Sequence, residues 1–219
     1  MKISDDEEIK KNIIESLCMI MPEKREKVLV VGLGNRDITS DAVGPVVTKK
    51  ILATRHLKKD FAEKIGLKGL KSVSVIIPDV LGNTGMEVLE IIKGIKEKTE
   101  PDVIIVIDAL AAASYKRLFK TVQLTNTGIS PGSGVKNKRK ELSEKTLGIP
   151  VIAIGVPTVV DAVSLSKELA ERKKVLQTDL IVTPKDAALL IKRISYIISS
   201  ALNVFLQPEI DEDLLLSLV

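Results

Sequence analysis

The sequence predicts an α/β fold in three layers, with a mostly parallel, mixed central sheet covered by helices on both faces. Three observations carry this expectation. Apolar, β-branched runs alternate with helix-patterned stretches along the chain, the order expected of strand–helix–strand units. Hydrophobic residues make up 45% of the chain but aromatic residues only 2%, with no Trp. The core must therefore be built from Ile, Leu, Val and Ala, which suits a sheet buried on both sides. Finally, 219 residues fit a single domain.

The first helix is expected near residues 5–20, where Ile9, Ile13, Leu17 and Ile20 fall on one face and Cys18 sits beside them as a core residue. Residues 1–27 read as a helical extension in front of the first strand, 28–33 ("VLVVGL"). Further strands are predicted at 73–78, 103–108, 121–125, 151–156 and 180–183, and helices at about 41–54, 84–97, 158–172 and 185–206. Thr84-Gly85-Met86-Glu87 has the spacing of a capping box, and Thr183-Pro184-Lys185-Asp186 that of an N-cap followed by Pro at the first helical position. Residues 126–148 have little periodicity and are rich in Gly, Ser and Lys. A long loop between two strands that read as central is expected to be functional.

Charge and composition exclude several classes. A net charge of +4 is mild for a dedicated nucleic-acid binder, and single-strand binding would need aromatic stacking platforms. The opening "MKISDDEEIKK" is not a secretory signal, and the apolar stretch "VIIVIDALAAA" is interrupted by Asp108 and too short to span a bilayer. One cysteine excludes an internal disulfide. The expected location is the cytoplasm, with no nucleic-acid or membrane partner.

Two glycines in "VGLGNRDITSDAVGP" suggest a dinucleotide-binding turn, but Asp37 stands where the third glycine is needed, and no Walker-A Lys follows. The carboxylates offer a better reading. Ligands of open α/β sheets sit beyond the carboxyl ends of the strands. Asp108 ends an all-apolar strand, and Asp41 follows the first strand after a short turn, so both should reach the same rim. A carboxylate closing so apolar a strand needs a partner or a task. Asp41 taken alone also suits a helix first turn. Asp37 and Asp79 follow strands too, with Asp79 a simple turn residue, and Asp161 reads as an early-helix carboxylate. His56 is the single histidine and suits a surface or capping position, so a His-rich zinc site is excluded. No Gly-x-Ser-x-Gly nucleophile elbow is present. The run "KNKRK" (136–140) is either a solvated loop or a clamp for an acidic ligand.

Beyond these residue-level readings, "VGLGNRDITSDAVGP", "ATRHL", "IDALAA", "NTGISPGSGVKNKRKELSEKTLGIPVIAIGVPTVVDAV" and "VTPKD" resemble the successive signature segments of the spore germination protease family. A more distant likeness is to hydrogenase-maturation endopeptidases. The resemblance implies a phosphorylase/hydrolase-like arrangement and an atypical aspartic-type endopeptidase acting on small acid-soluble spore proteins in the spore core. It places the two essential aspartates at Asp41 and Asp108, the pair already expected at the rim. It also implies a homo-oligomer, tetrameric in the family, and a shortened member with 27 residues before the first strand. The chain departs from the family at Arg36, at Ala113 and at Ser130. In the hydrogenase-maturation relatives a histidine joins the acidic positions in binding metal; none follows Asp108 here, and no metal or cofactor is expected.

In this reading one aspartate of the pair stays protonated and the other activates water. Backbone N–H groups of Gly34, Asn35, Gly132, Ser133 and Gly134 are candidates for holding the oxyanion, and Lys136, Lys138 and Arg139 for reading acidic substrate residues. The alternatives that stay open are a non-cleaving sporulation paralogue acting as a binding protein and a metal-dependent maturation endopeptidase.

Overall fold

Strand β1 (Lys27–Gly32) lies between β2 (Ser72–Ile76) and β3 (Val103–Ala112), and pairs in parallel with both. Beyond β3, β5 (Val151–Asp161) is again parallel. The outer edge of β5 pairs antiparallel with β4 (Gln123–Thr125) and, further along, with β6 (Ile181–Val182). The sheet order β2-β1-β3-β5-β4 is thus mixed and mostly parallel, as the sequence predicts. This computed structural model describes residues 3–57, 59–64, 67, 69–133, 139–169 and 178–218.

Alternation along the strands decides which helix covers which face. Ile105, Ile107, Ile152 and Ile154 pack with Leu17 of α1 (Ile3–Ile20), Val43 and Val47 of α2 (Val43–Thr48), and Ile194, Ile198 and Leu202 of α8 (Ala187–Leu206). On the opposite face Leu29, Val31, Ile104 and Val106 meet Leu89 and Ile92 of α5 (Val88–Thr99) and Leu147 of α6 (Glu144–Leu147). Each of these fully buried aliphatic side chains contributes about 1.5–3 kcal/mol of transfer free energy. Helix α8 has the length and hydropathy of a membrane span, but most of it is buried inside the fold. The remaining helices are α3 (Lys59–Lys64), α4 (Leu81–Thr84), α7 (Ala162–Leu169) and α9 (Glu212–Ser217). A small satellite cluster joins Ala62 of α3, Leu67, Ile210 and Leu215 of α9.

Several local expectations are corrected. Strand β3 runs on through Ala112, so Asp108 lies within it; pairing with β5 carries the alanines despite their weak strand propensity. Likewise β5 continues through Pro157 to Asp161, with a bulge at Thr158 absorbing the break. Asp161 therefore ends a strand, and its carboxylate accepts the Ser164 N–H (2.8 Å) ahead of α7. The capping box is formed by Glu87 and Glu90, because Gly85 (φ 69°) stops the short α4 first. Thr183 caps no helix: α8 starts at Ala187, and the Thr183 hydroxyl is used elsewhere. Cys18 is exposed, one step off the stripe that buries Leu17. Segment 126–148 joins β4, an edge strand, to the interior β5.

Candidate active site

The strand order reverses between β1 and β3. From β1 the chain goes to β2 on one side, then crosses back to β3 on the other. Connections leave such a switch point in opposite directions and open a crevice at the carboxyl ends of the two strands. A cleft of about 400 Å³ opens there, with Leu33, Gly34, Asp41, Asp108, Ala109 and Thr158 among its lining residues.

Asp41 reaches the cleft through a tightly determined turn. The chain leaves β1 at Leu33, whose N–H still donates to Ile107 O (2.8 Å). Gly34 then turns away with φ 106°. A Cβ on Gly34 would come within 2.1 Å of the Asp41 carbonyl oxygen, so only glycine lets the two segments approach. Residues Thr39–Asp41 form one 3-10 turn ahead of α2. Gly44 seats that helix directly on the sheet: a Cβ there would meet Leu33 O at 2.2 Å and Ile107 O at 2.5 Å. The close-packing glycine missing at position 37 is thus supplied seven residues later.

Two hydrogen bonds fix the turn. The Asn35 N–H donates to Asp41 Oδ2 (2.7 Å), and the buried Thr158 hydroxyl donates to Ser40 O (2.6 Å). The β5 bulge leaves Thr158 O to accept the Thr183 hydroxyl (2.8 Å), which ties the start of the α8 segment to the same point. Thr158 does not stand out in the sequence, since a bulge is needed to turn it toward the loop, and Thr183 stands out there only as a helix cap.

Asp108 projects from the middle of β3 and is only 5% exposed. Its Oδ1 accepts the N–H of Ala109 (2.9 Å). That N–H faces the side from which β1 has already departed, so the neighbouring carboxylate takes the place of the missing strand. Burial, and then the charge of Asp41, push the Asp108 carboxyl up to about 8, against the Ala109 bond that favours ionisation. Burial also raises Asp41, partly offset by the Asn35 N–H. The two carboxylates therefore hold protons unequally, with Asp108 protonated near neutrality.

Asp79 lines the cleft with φ 63° and accepts from Val80 N–H (2.8 Å) and the Asn83 amide (3.0 Å), a turn residue as expected. Asp37 and Asp161 do not line it. His56 is exposed in the turn after α2. Among the described residues no cluster of three metal-ligating side chains occurs. Gly132, Ser133 and Arg139 line the cleft, whereas Gly134, Lys136 and Lys138 lie outside the described residues. The oxyanion candidates divide. The N–H groups of Asn35 and Ser133 are already engaged, by Asp41 and by Ser130 O (3.3 Å), while those of Gly34 and Gly132 are not spent on another described group.

The germination protease family model matches residues 5–172. The chain belongs to the germination protease family. Among its relatives, the germination protease of Caldanaerobacter subterraneus is 44% identical over 92% of this chain and 72% of its own length. That of Clostridium acetobutylicum is 42% identical over 94% and 75%, respectively. A Bacillus mycoides germination protease reaches 57% identity over 66% of this chain and 39% of its own length. Among solved structures, a [NiFe] hydrogenase maturation protease, HycI from Thermococcus kodakarensis, aligns with TM-score 0.45 and 13% identity over 85% of this chain and 98% of that one. Membership of the germination protease family makes this chain a peptidase.

Proposed function

We propose that the chain is an aspartic-type endopeptidase that cuts small acid-soluble spore proteins during germination, with Asp41 and Asp108 activating the attacking water. The observation that carries this reading is the pairing of a half-buried carboxylate with a buried, protonated one in the cleft at the sheet's switch point. Asp41, the more exposed and more easily ionised of the two, takes the proton of a water between them. Asp108 hydrogen-bonds and polarises the scissile carbonyl, gives its proton to the leaving amine as the C–N bond of the tetrahedral intermediate breaks, and is reprotonated by the proton that Asp41 took from the water. The free N–H groups of Gly34 and Gly132 stabilise the developing oxyanion. The unequal proton affinities support this division of roles, which neither residue's type nor position indicates.

The described cleft lining carries one cation, Arg139, alongside Asp79, Glu87 and the aspartate pair. Recognition of acidic substrate residues falls in this reading to Arg139 together with Lys136 and Lys138. Incubation with a purified small acid-soluble spore protein, followed by mass mapping of the fragments, tests the proposal. Cleavage at a defined bond is expected, and an intact protein after prolonged incubation would remove the substrate assignment.

A further inference from the structure

Strand β3 continues past the point where β1 stops. Its pairing with β1 ends at Gly32–Ile107, while its pairing with β5 runs on to Ala112–Val160. Residues Ala109–Ala112 therefore present one unpaired edge, about 13 Å long at a strand rise of about 3.3 Å per residue. Because Leu33 N–H bonds Ile107 O, the backbone groups of Ala109 and Ala111 point to that same side. The Ala109 N–H is held by Asp108. The Ala109 carbonyl and both backbone groups of Ala111 have no partner among the described residues. Ala109, Leu110 and Ala111 are only partly buried and form a wall of the cleft that contains Asp41 and Asp108.

An open strand edge is a ready template for another extended chain. We propose that the substrate binds as an added strand along Ala109–Ala112, continuing the line of β1 where β1 turns away. This inference rests on reading the cleft as the peptidase site. The bulge lies in β5 and not in β3, so the β3 edge stays regular over these residues. The small side chains of Ala109 and Ala111 leave the edge accessible, and Ile38 and Ile181, both about half exposed, give apolar contacts at the cleft's rim. Main-chain pairing at this edge holds the scissile bond beside Asp108, which is part of the same strand. Recognition is then directed at extended backbone, so the substrate must present an unfolded or extended segment.

The test uses a synthetic peptide spanning the cut mapped in a small acid-soluble spore protein, and the Asp41→Asn variant, so that binding is read without turnover. Single N-methyl groups are placed on successive amides next to the scissile bond, and affinity is measured by calorimetry. Only alternate residues of an added strand face its neighbour. Losses of about tenfold at alternate positions, with little change between them, are expected from removal of single hydrogen bonds. Uniform losses, or none, with the unmodified peptide still binding, would overturn strand addition alone. Failure of the unmodified peptide to bind would overturn the substrate assignment and the strand proposal with it. Ala111→Pro gives a second reading: it removes an N–H on the open side, where proline is tolerated, and should raise KM about tenfold at unchanged kcat. An unchanged KM in that folded variant would count against the proposal.

Discussion

The hydroxyl of Thr158 donates to the carbonyl of Ser40 over 2.6 Å, so that β5 holds the turn from which Asp41 projects. The bond joins residues far apart in sequence, one at a strand bulge and one in the 3-10 turn after β1. Thr158 is buried and its hydroxyl is spent on the Ser40 carbonyl, so its role is to position Asp41. Thr158→Val keeps the shape and removes the donor, leaving the Ser40 carbonyl without this partner. Steady-state kinetics should show kcat down about tenfold with KM little changed, and stability lower by about 1–2 kcal/mol. Thr158→Ser should restore most of the rate.

Burying Asp108 works against the stability of the fold. Its carboxyl is raised from 3.8 to about 8, so the folded chain binds a proton that the unfolded chain has released. Stability falls as pH rises from about 4 to about 8, and below pH 4 this contribution vanishes because both states are protonated. Asp108→Asn removes the titration. The variant should melt at higher temperature than the parent at pH 7–8, by up to a few kcal/mol of stability, and the gain should shrink toward pH 4. Thermal scans across this range measure it.

The same proton affinities shape the rate. Catalysis as proposed needs Asp41 ionised and Asp108 protonated. Activity should rise with pH through a midpoint raised from the ordinary aspartate value and fall again near pH 8. The two midpoints belong to the pair and not to either residue alone. A kcat profile still flat well above pH 8 would contradict the assignment of Asp108 as the acid.

Gly34 is the most demanding backbone position of the site, with φ 106° and Asp41 O in the place a Cβ would take. Gly34→Ala cannot be absorbed by a side-chain rotation, since the obstacle is backbone. It should cost on the order of 1–3 kcal/mol and lower kcat/KM by at least about tenfold through displacement of Asp41. Circular dichroism and denaturant titration would separate the two effects.

The strands were legible in the sequence because their buried faces leave long Val and Ile runs, and Asp108 stood out as the polar residue closing one. The ends of those strands were not, because nothing local shows that "ALAA" and "PTVVD" stay paired; partner strands and a bulge decide it. Cys18 was misplaced by a single step of helical phase. The convergence of Asp41 and Asp108 followed from strand-end logic. The clamp made by Thr158 and Thr183 did not, since it depends on contacts between distant segments. Asn35 shows the same limit: its N–H looked available for an oxyanion, yet the fold uses it to hold Asp41.

The central claim is that Asp41 and Asp108 together perform the cleavage. Cutting of a small acid-soluble spore protein should be compared for the parent chain, Asp41→Asn and Asp108→Asn, with folding of each checked by circular dichroism. Loss of at least about a thousandfold in kcat/KM is expected in both variants, about 4 kcal/mol of transition-state stabilisation. A folded variant of either kind that cleaves at the parent rate would contradict the account.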